Sequence, residues 1–171
     1  MSEPQLVAEL VRRISNDFHI HQEVSGVHPI DGDGVRIDIM ARGKSHIIES
    51  GFTDQWFGIE CKWASSISGT TSKTTRMVWQ SITYAQSLFA IENVKIRPAF
   101  VAVYTPDNLD SSVEVNLKYL LALGLYGNVG RFYFYRDGSW GIKFANTYAR
   151  SSSEGIILNS SQLPARRVGS V

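Results

Sequence analysis

Residues 57 to 63 read FGIECKW, an apolar run that carries Glu60 and Lys62 two positions apart. In a strand, alternate side chains share a face, so an acid and an amine would stand side by side there while Ile59, Cys61 and Trp63 face the other way. A second acid lies in VRIDIMA, residues 35 to 41, where strand alternation puts Arg36, Asp38 and Met40 on one face and Val35, Ile37 and Ile39 on the other. If these two strands are hydrogen-bonded neighbours, Asp38 and Glu60 approach within a few ångströms. Two carboxylates that close raise each other's pKa unless a cation neutralises them. A hard divalent ion answers this, Mg²⁺ with Mn²⁺ as substitute, because an incomplete cage of oxygens is what Mg²⁺ takes when it must also hold water and a phosphate. Lys62 would then orient or deprotonate a water, or stabilise charge on a phosphorane-like transition state. The plainer alternative is an ion pair between Glu60 and Lys62 on a solvated edge strand, worth under roughly 1 kcal/mol.

The elements that must position these residues follow from periodicity. Leu6, Leu10 and Ile14 at four-residue spacing predict an amphipathic helix over 4–17, with Pro4 in its first turn. A short strand at 21–27, a turn-rich HPIDGDG at 28–34 and the strand VRIDIMA predict a hairpin. An irregular excursion follows at 43–52, and QWFGIECKWA, residues 55 to 64, is the third strand. The small hydroxyl residues of 65–75 predict a loop. From 74 to 91, Val78, Ile82, Ala85 and Phe89 form a helical stripe. RPAFVAVYTP reads as a buried central strand, SVEVNLKYLLALGLYG as a helix over 112–127, and RFYFYRDGSWGIKF as a hairpin turning at Asp137 and Gly138. The order helix, three strands, helix, strand, helix, hairpin predicts an α/β fold around a mixed sheet.

A chain of 171 residues, 43% of them apolar, suits one core, expected over 1–159 with a frayed tail at 160–171. With 17 Lys plus Arg against 16 Asp plus Glu there is no global basic field, so any polyanion must be met by a local cluster. One such cluster is the loop at 64–75, whose hydroxyls, Ser72 and Thr74 among them, with Lys73 and Arg76 can hydrogen-bond phosphates. A single cysteine excludes an internal disulfide and a cysteine-based zinc site, and neither a membrane span nor a secretory signal is evident; a cytoplasmic protein without a membrane partner is expected. Turn chemistry accounts for Asp31 and Asp33, and the four histidines share no ligand spacing. The alternation of RFYFY puts Phe132 and Phe134 on one face and Tyr133 and Tyr135 on the other, which favours core packing of at least one face over base stacking.

Asp38 followed on the next strand by Glu60-Cys61-Lys62 resembles the PD-(D/E)XK nuclease superfamily, and Gln80-Ser81-Ile82-Thr83-Tyr84 is similar to the Gln-x-x-x-Tyr element of its RecB-like and lambda-exonuclease branch. Helical geometry gives that second match a physical sense, since Lys73, Met77, Gln80 and Tyr84 fall along one line opposite Val78, Ile82 and Phe89. The resemblance covers roughly residues 5 to 105 and implies a restriction-endonuclease-like fold, a central mixed sheet flanked by helices. It further implies Mg²⁺-dependent hydrolysis of DNA phosphodiesters to 5′ phosphate and 3′ hydroxyl ends, Asp38 and Glu60 as metal ligands, the Cys61 backbone carbonyl as a third, Lys62 as organiser of the attacking water, and Gln80 and Tyr84 as supports of Lys62 and the phosphate. Ile37 stands where the family has a Pro before the Asp. The family's first helix often adds an acid to the metal, and Glu9 is the candidate by position, although it lies well round from the centre of the apolar stripe. A stand-alone endonuclease of resolvase, homing or phage type is expected, dimeric or higher so that two strands can be cut. The competing expectation is a non-catalytic DNA-binding or protein-interaction module that keeps the fold without turnover.

Overall fold

A computed structural model describes residues 2–63, 70–106, 117, 128–144 and 147–160. The first element is α1 (Glu3–Ile14), begun by the Ser2 backbone N–H donating to Gln5 Oε1 at 2.7 Å and by Pro4 in the first turn. Its stripe of Leu6, Leu10 and Ile14 is fully buried, each side chain contributing roughly 1.5–3 kcal/mol of apolar burial. Then come β1 (Phe18–Val27), β2 (Gly34–Gly43), a short α2 (Ser45–Glu49), β3 (Phe57–Cys61) and α3 (Thr70–Gln86). The chain continues through β4 (Leu88–Ile91), β5 (Val94–Ile96), β6 (Val101–Tyr104), β7 (Val129–Phe134), β8 (Trp140–Lys143), β9 (Thr147–Ser152) and β10 (Gly155–Ser160). The helix expected at 112–127 falls outside the described residues apart from Leu117, which is helical and buried, and the expected tail lies outside them from 161 on.

The described strands form one mixed sheet of ten in the order β10-β9-β8-β7-β6-β3-β2-β1-β4-β5. Only β3 with β6 and β6 with β7 are parallel; the other neighbours are antiparallel. Every residue of β3 and β6 is buried, as strands covered on both faces require. On one face Ile39, Phe57, Ile59, Cys61, Ala102 and Tyr104 pack with the α1 stripe. On the other, Met40, Val101 and Val103 meet α3 through Met77, Val78, Tyr84 and Ala85. No helix among the described residues is long and apolar enough to cross a membrane.

Four expectations change. The predicted loop is helical from Thr70, and α3 stops at Gln86, so Phe89 belongs to a strand rather than to the helical stripe. A hairpin of β4 and β5 takes its place, turned by Glu92 and Asn93, both at positive φ, and β4 pairs with β1 where Gly26 faces Phe89. A Cβ on Gly26 would collide with the Leu88 carbonyl and the Phe89 ring, so the missing side chain is what admits β4. The row Lys73, Met77, Gln80, Tyr84 does not face away from the core, because Met77 and Tyr84 are buried while Arg76 and Trp79 are exposed. The β9–β10 hairpin was not anticipated.

The fourth change concerns β2 directly. Ile37 and Ile39 do not share a face: Ile39 packs on the α1 side, whereas Val35, Ile37 and Val24 pack on the α3 side. Across from it, β1 switches too, with Ile20 on the α1 side. The register Gln22↔Ile39 and Val24↔Ile37 is kept, so the two strands turn over together between these pairs, at Glu23 and Asp38. Glu23 has φ 53°, a left-handed conformation costing a residue with a side chain on the order of 1–2 kcal/mol. Gly58 makes the switch possible from below, since a Cβ there would strike the Ile37 side chain and crowd Val101.

Candidate active site

The hydrogen bonds of β3 explain how Asp38 is aimed. Gly58 and Lys62 donate their backbone N–H groups to Phe100 and Tyr104 in the β6 segment, so by alternation the Cys61 N–H points toward β2. Backbone pairing between β2 and β3 ends at Ile39↔Ile59, and one step further the register sets Asp38 opposite Glu60. There the Cys61 N–H donates to Asp38 Oδ2 at 2.7 Å, a side chain taking the role of the missing ladder carbonyl.

Glu60 is only 4% exposed, on the sheet face that α3 covers. Its Oε2 is buried and accepts no hydrogen bond. Burial, reinforced by the Asp38 charge, pushes the Glu60 carboxyl up to about 8, while Lys62 only partly opposes this. Asp38 is raised as well, by burial first, against the pull of the Cys61 N–H, with the charges of Glu3 and Glu23 adding to the rise. Lys62 sits with its Nζ 4.0 Å from Glu60 Oε1 and 2.9 Å from Glu3 Oε1. Burial draws its ammonium down, but the Glu3 hydrogen bond and charge, followed by those of Glu60 and Asp38, leave the net shift upward, so Lys62 carries its charge throughout the physiological range. The Cys61 thiol is driven up by burial and stays protonated.

The α3 side adds Tyr84, whose phenol is pushed up to about 12 by burial and by the Glu60 and Asp38 charges. It therefore remains a proton-bearing donor. One turn earlier Gln80 buries its Oε1 without a hydrogen-bond partner. Arg76 is exposed, yet its charge is felt by Tyr84. Ser72, Lys73 and Thr74 fall in the first turns of α3, and their side chains lie outside the described residues.

Comparison with protein-family models, with curated proteins and with solved structures finds no match to this chain. The candidate site therefore rests on its own residues. Asp38, Glu60 and Lys62 come together as expected, with Tyr84 within electrostatic reach. Glu9 does not join them; it forms an i,i+4 pair with Arg13 at 3.9 Å, and the acid that α1 brings to Lys62 is Glu3. The signal for Glu3 is the Ser2-x-x-Gln5 start, which fixes Glu3 at the helix tip, where a side chain projects past the end of the helix rather than from one of its faces. Glu23, the other acid missed, is paired with Arg36 at 3.0 Å and reaches the site only through the turnover at residue 38.

Among the described residues no group of three or more His, Cys, Asp or Glu side chains is gathered as a metal centre. What is present is a pair of carboxylates, both raised chiefly by burial and only partly offset by Lys62, one with an oxygen sealed from water and unpartnered. That chemistry fits a cation that takes two protein oxygens and fills its remaining positions from outside the chain.

Proposed function

We propose that the protein is a divalent-metal-dependent deoxyribonuclease of PD-(D/E)XK type on a restriction-endonuclease-like fold. The observation that carries this is the buried Glu60 Oε2 with no partner, beside an Asp38 raised in the same direction and a charged Lys62. Mg²⁺ or Mn²⁺ held by Asp38 and Glu60 would polarise a phosphoryl oxygen and lower the pKa of a coordinated water.

The chain's own residues do the rest. The Cys61 N–H fixes one Asp38 oxygen and leaves the other free to point into the site. Glu3 anchors Lys62 so that its positive charge is preorganised next to the carboxylates, where negative charge grows on an attacked phosphate. Tyr84, protonated at any physiological pH, can donate to a phosphate oxygen, and Gln80 extends the same helix face.

The test is incubation of the purified protein with supercoiled plasmid and with single-stranded DNA, in Mg²⁺, Mn²⁺ or EDTA, alongside Lys62→Ala and Asp38→Asn. Metal-dependent cutting that both substitutions abolish supports the proposal. A wild-type protein that cuts no DNA form in either metal overturns it in favour of the non-catalytic module.

A further inference from the structure

Trp79 is 64% exposed on α3, the one aromatic side chain among the described residues left largely in water. Burying an indole ordinarily removes some of the largest apolar surface a side chain has, so its exposure calls for a partner. The helix that carries it is basic: TTSKTTRMVWQSITYAQ contains Lys73 and Arg76 and no acid. At 100° per residue, Trp79, Arg76, Gln80 and Tyr84 succeed one another around α3 at about 0°, 60°, 100° and 140°. A continuous strip thus runs from the two carboxylates, past the buried Gln80 oxygen, over the exposed Arg76 and onto the indole face.

A flat π-surface next to a cation, on an element without anions, matches a polyanion whose units carry flat rings. We propose that Trp79 stacks on an unpaired base while Arg76 holds the phosphate between that base and the acids, so that the substrate class is DNA carrying single-stranded or unpaired nucleotides. Intact duplex does not fit, because its base faces are covered by their neighbours and only phosphates and groove edges are open to a helix side chain. A second copy of the chain fits poorly, since apposing two α3 faces brings Arg76 toward its like. The two tyrosines at the end of β7 are already engaged: Tyr133 and Tyr135 share a 2.7 Å hydroxyl hydrogen bond, and Arg150 covers the Tyr135 ring at 3.7 Å. This inference rests on the nuclease reading for the identity of the polymer, and its test does not depend on cutting.

Fluorescence anisotropy in EDTA, with a labelled oligothymidylate of about 15 nucleotides and a blunt duplex of the same length, separates the outcomes. Wild type binds the single strand more tightly than the duplex. Trp79→Ala weakens single-strand binding by about tenfold or more and leaves duplex binding alone, and Trp79→Phe retains most of the affinity. Arg76→Ala weakens both and lowers the salt dependence by about one phosphate contact. Equal affinity for the two DNAs, no binding of either, or single-strand binding untouched by Trp79→Ala overturns the inference. So does a Trp79→Ala protein that sediments as a smaller oligomer than wild type, which assigns the face to a second copy. A plasmid left uncut while the Trp79 effect persists removes the nuclease reading alone; DNA cut normally by a Trp79→Ala protein with unchanged binding removes only the stacking.

Discussion

Two groups of acids in this molecule are treated in opposite ways. Asp17 and Asp137 line a cleft of about 610 Å³ where α2 and the β7–β8 turn meet the β9–β10 hairpin. Asp137 accepts from the Ser139 N–H and hydroxyl and from Arg150 at 2.6 Å, and its pKa is lowered, chiefly by the Ser139 hydrogen bonds. Asp17 accepts from Trp140 Nε1 at 2.6 Å and lies 3.2 Å from His46 Nε2. Asp38 and Glu60 instead stand opposite each other on β2 and β3, and Glu60 keeps an oxygen without a donor. Acids that tie a fold together are ringed by donors; acids kept short of them are poised for a charge that comes from outside.

The largest effect should fall on chemistry. Lys62→Ala and Asp38→Asn should each lower metal-dependent plasmid cutting by at least about a hundredfold, while Asp137→Asn leaves the initial rate unchanged. Equal losses at Asp137 would erase the contrast.

Stability should come next, with opposite pH signs at the two places. In metal-free protein the folded state holds the Glu60 proton more tightly than the unfolded chain. That contribution is therefore complete below the ordinary Glu value of 4.5 and is lost as pH rises through about 8. Urea unfolding in EDTA should weaken by a few kcal/mol between pH 5 and 9, as a shift of this size implies, and Glu60→Gln should flatten the slope. Asp137 behaves in reverse: its contribution is present above the ordinary carboxylate range and fades as pH falls through its lowered pKa.

A smaller effect is expected from the ion itself. At pH 8, millimolar Mg²⁺ should raise the melting temperature by a few degrees, at about 2–4 °C per kcal/mol for a chain of this size, and Asp38→Asn should remove the rise where Asp137→Asn does not. The smallest belongs to Glu3. Glu3→Gln should slow cutting severalfold and move the alkaline limb of its pH profile downward as Lys62 loses its strongest charge-holding partner, with folding stability changed by under about 1 kcal/mol.

The meeting of Asp38, Glu60 and Lys62 was legible in the sequence because it needs only strand alternation and one antiparallel neighbour. The turnover at residue 38 was not, because alternation alone makes Val35, Ile37 and Ile39 look like one face; the cause is a left-handed Glu23 on another strand. Phe89 is misleading for a related reason. Its spacing continues the helical stripe, and only the gap left by Gly26 and the two-residue turn at Glu92 and Asn93 show that the chain instead returns to the sheet. Glu9 is the candidate by its position in the first helix, against its angle to the apolar stripe, whereas what counts is which end of α1 overhangs the end of β3. The β9–β10 hairpin lies in a serine-rich stretch whose only strong apolar run is GIIL, too short to announce two strands.

Position 58 leaves the molecule with a hidden dependency. A methyl group added there touches neither acid and alters no charge, yet it would meet the Ile37 side-chain tip and crowd Val101, so Ile37 would have to repack beside the backbone that carries Asp38. Any change at this position must therefore be answered by the packing of its neighbours, although the residue itself contributes no side chain at all.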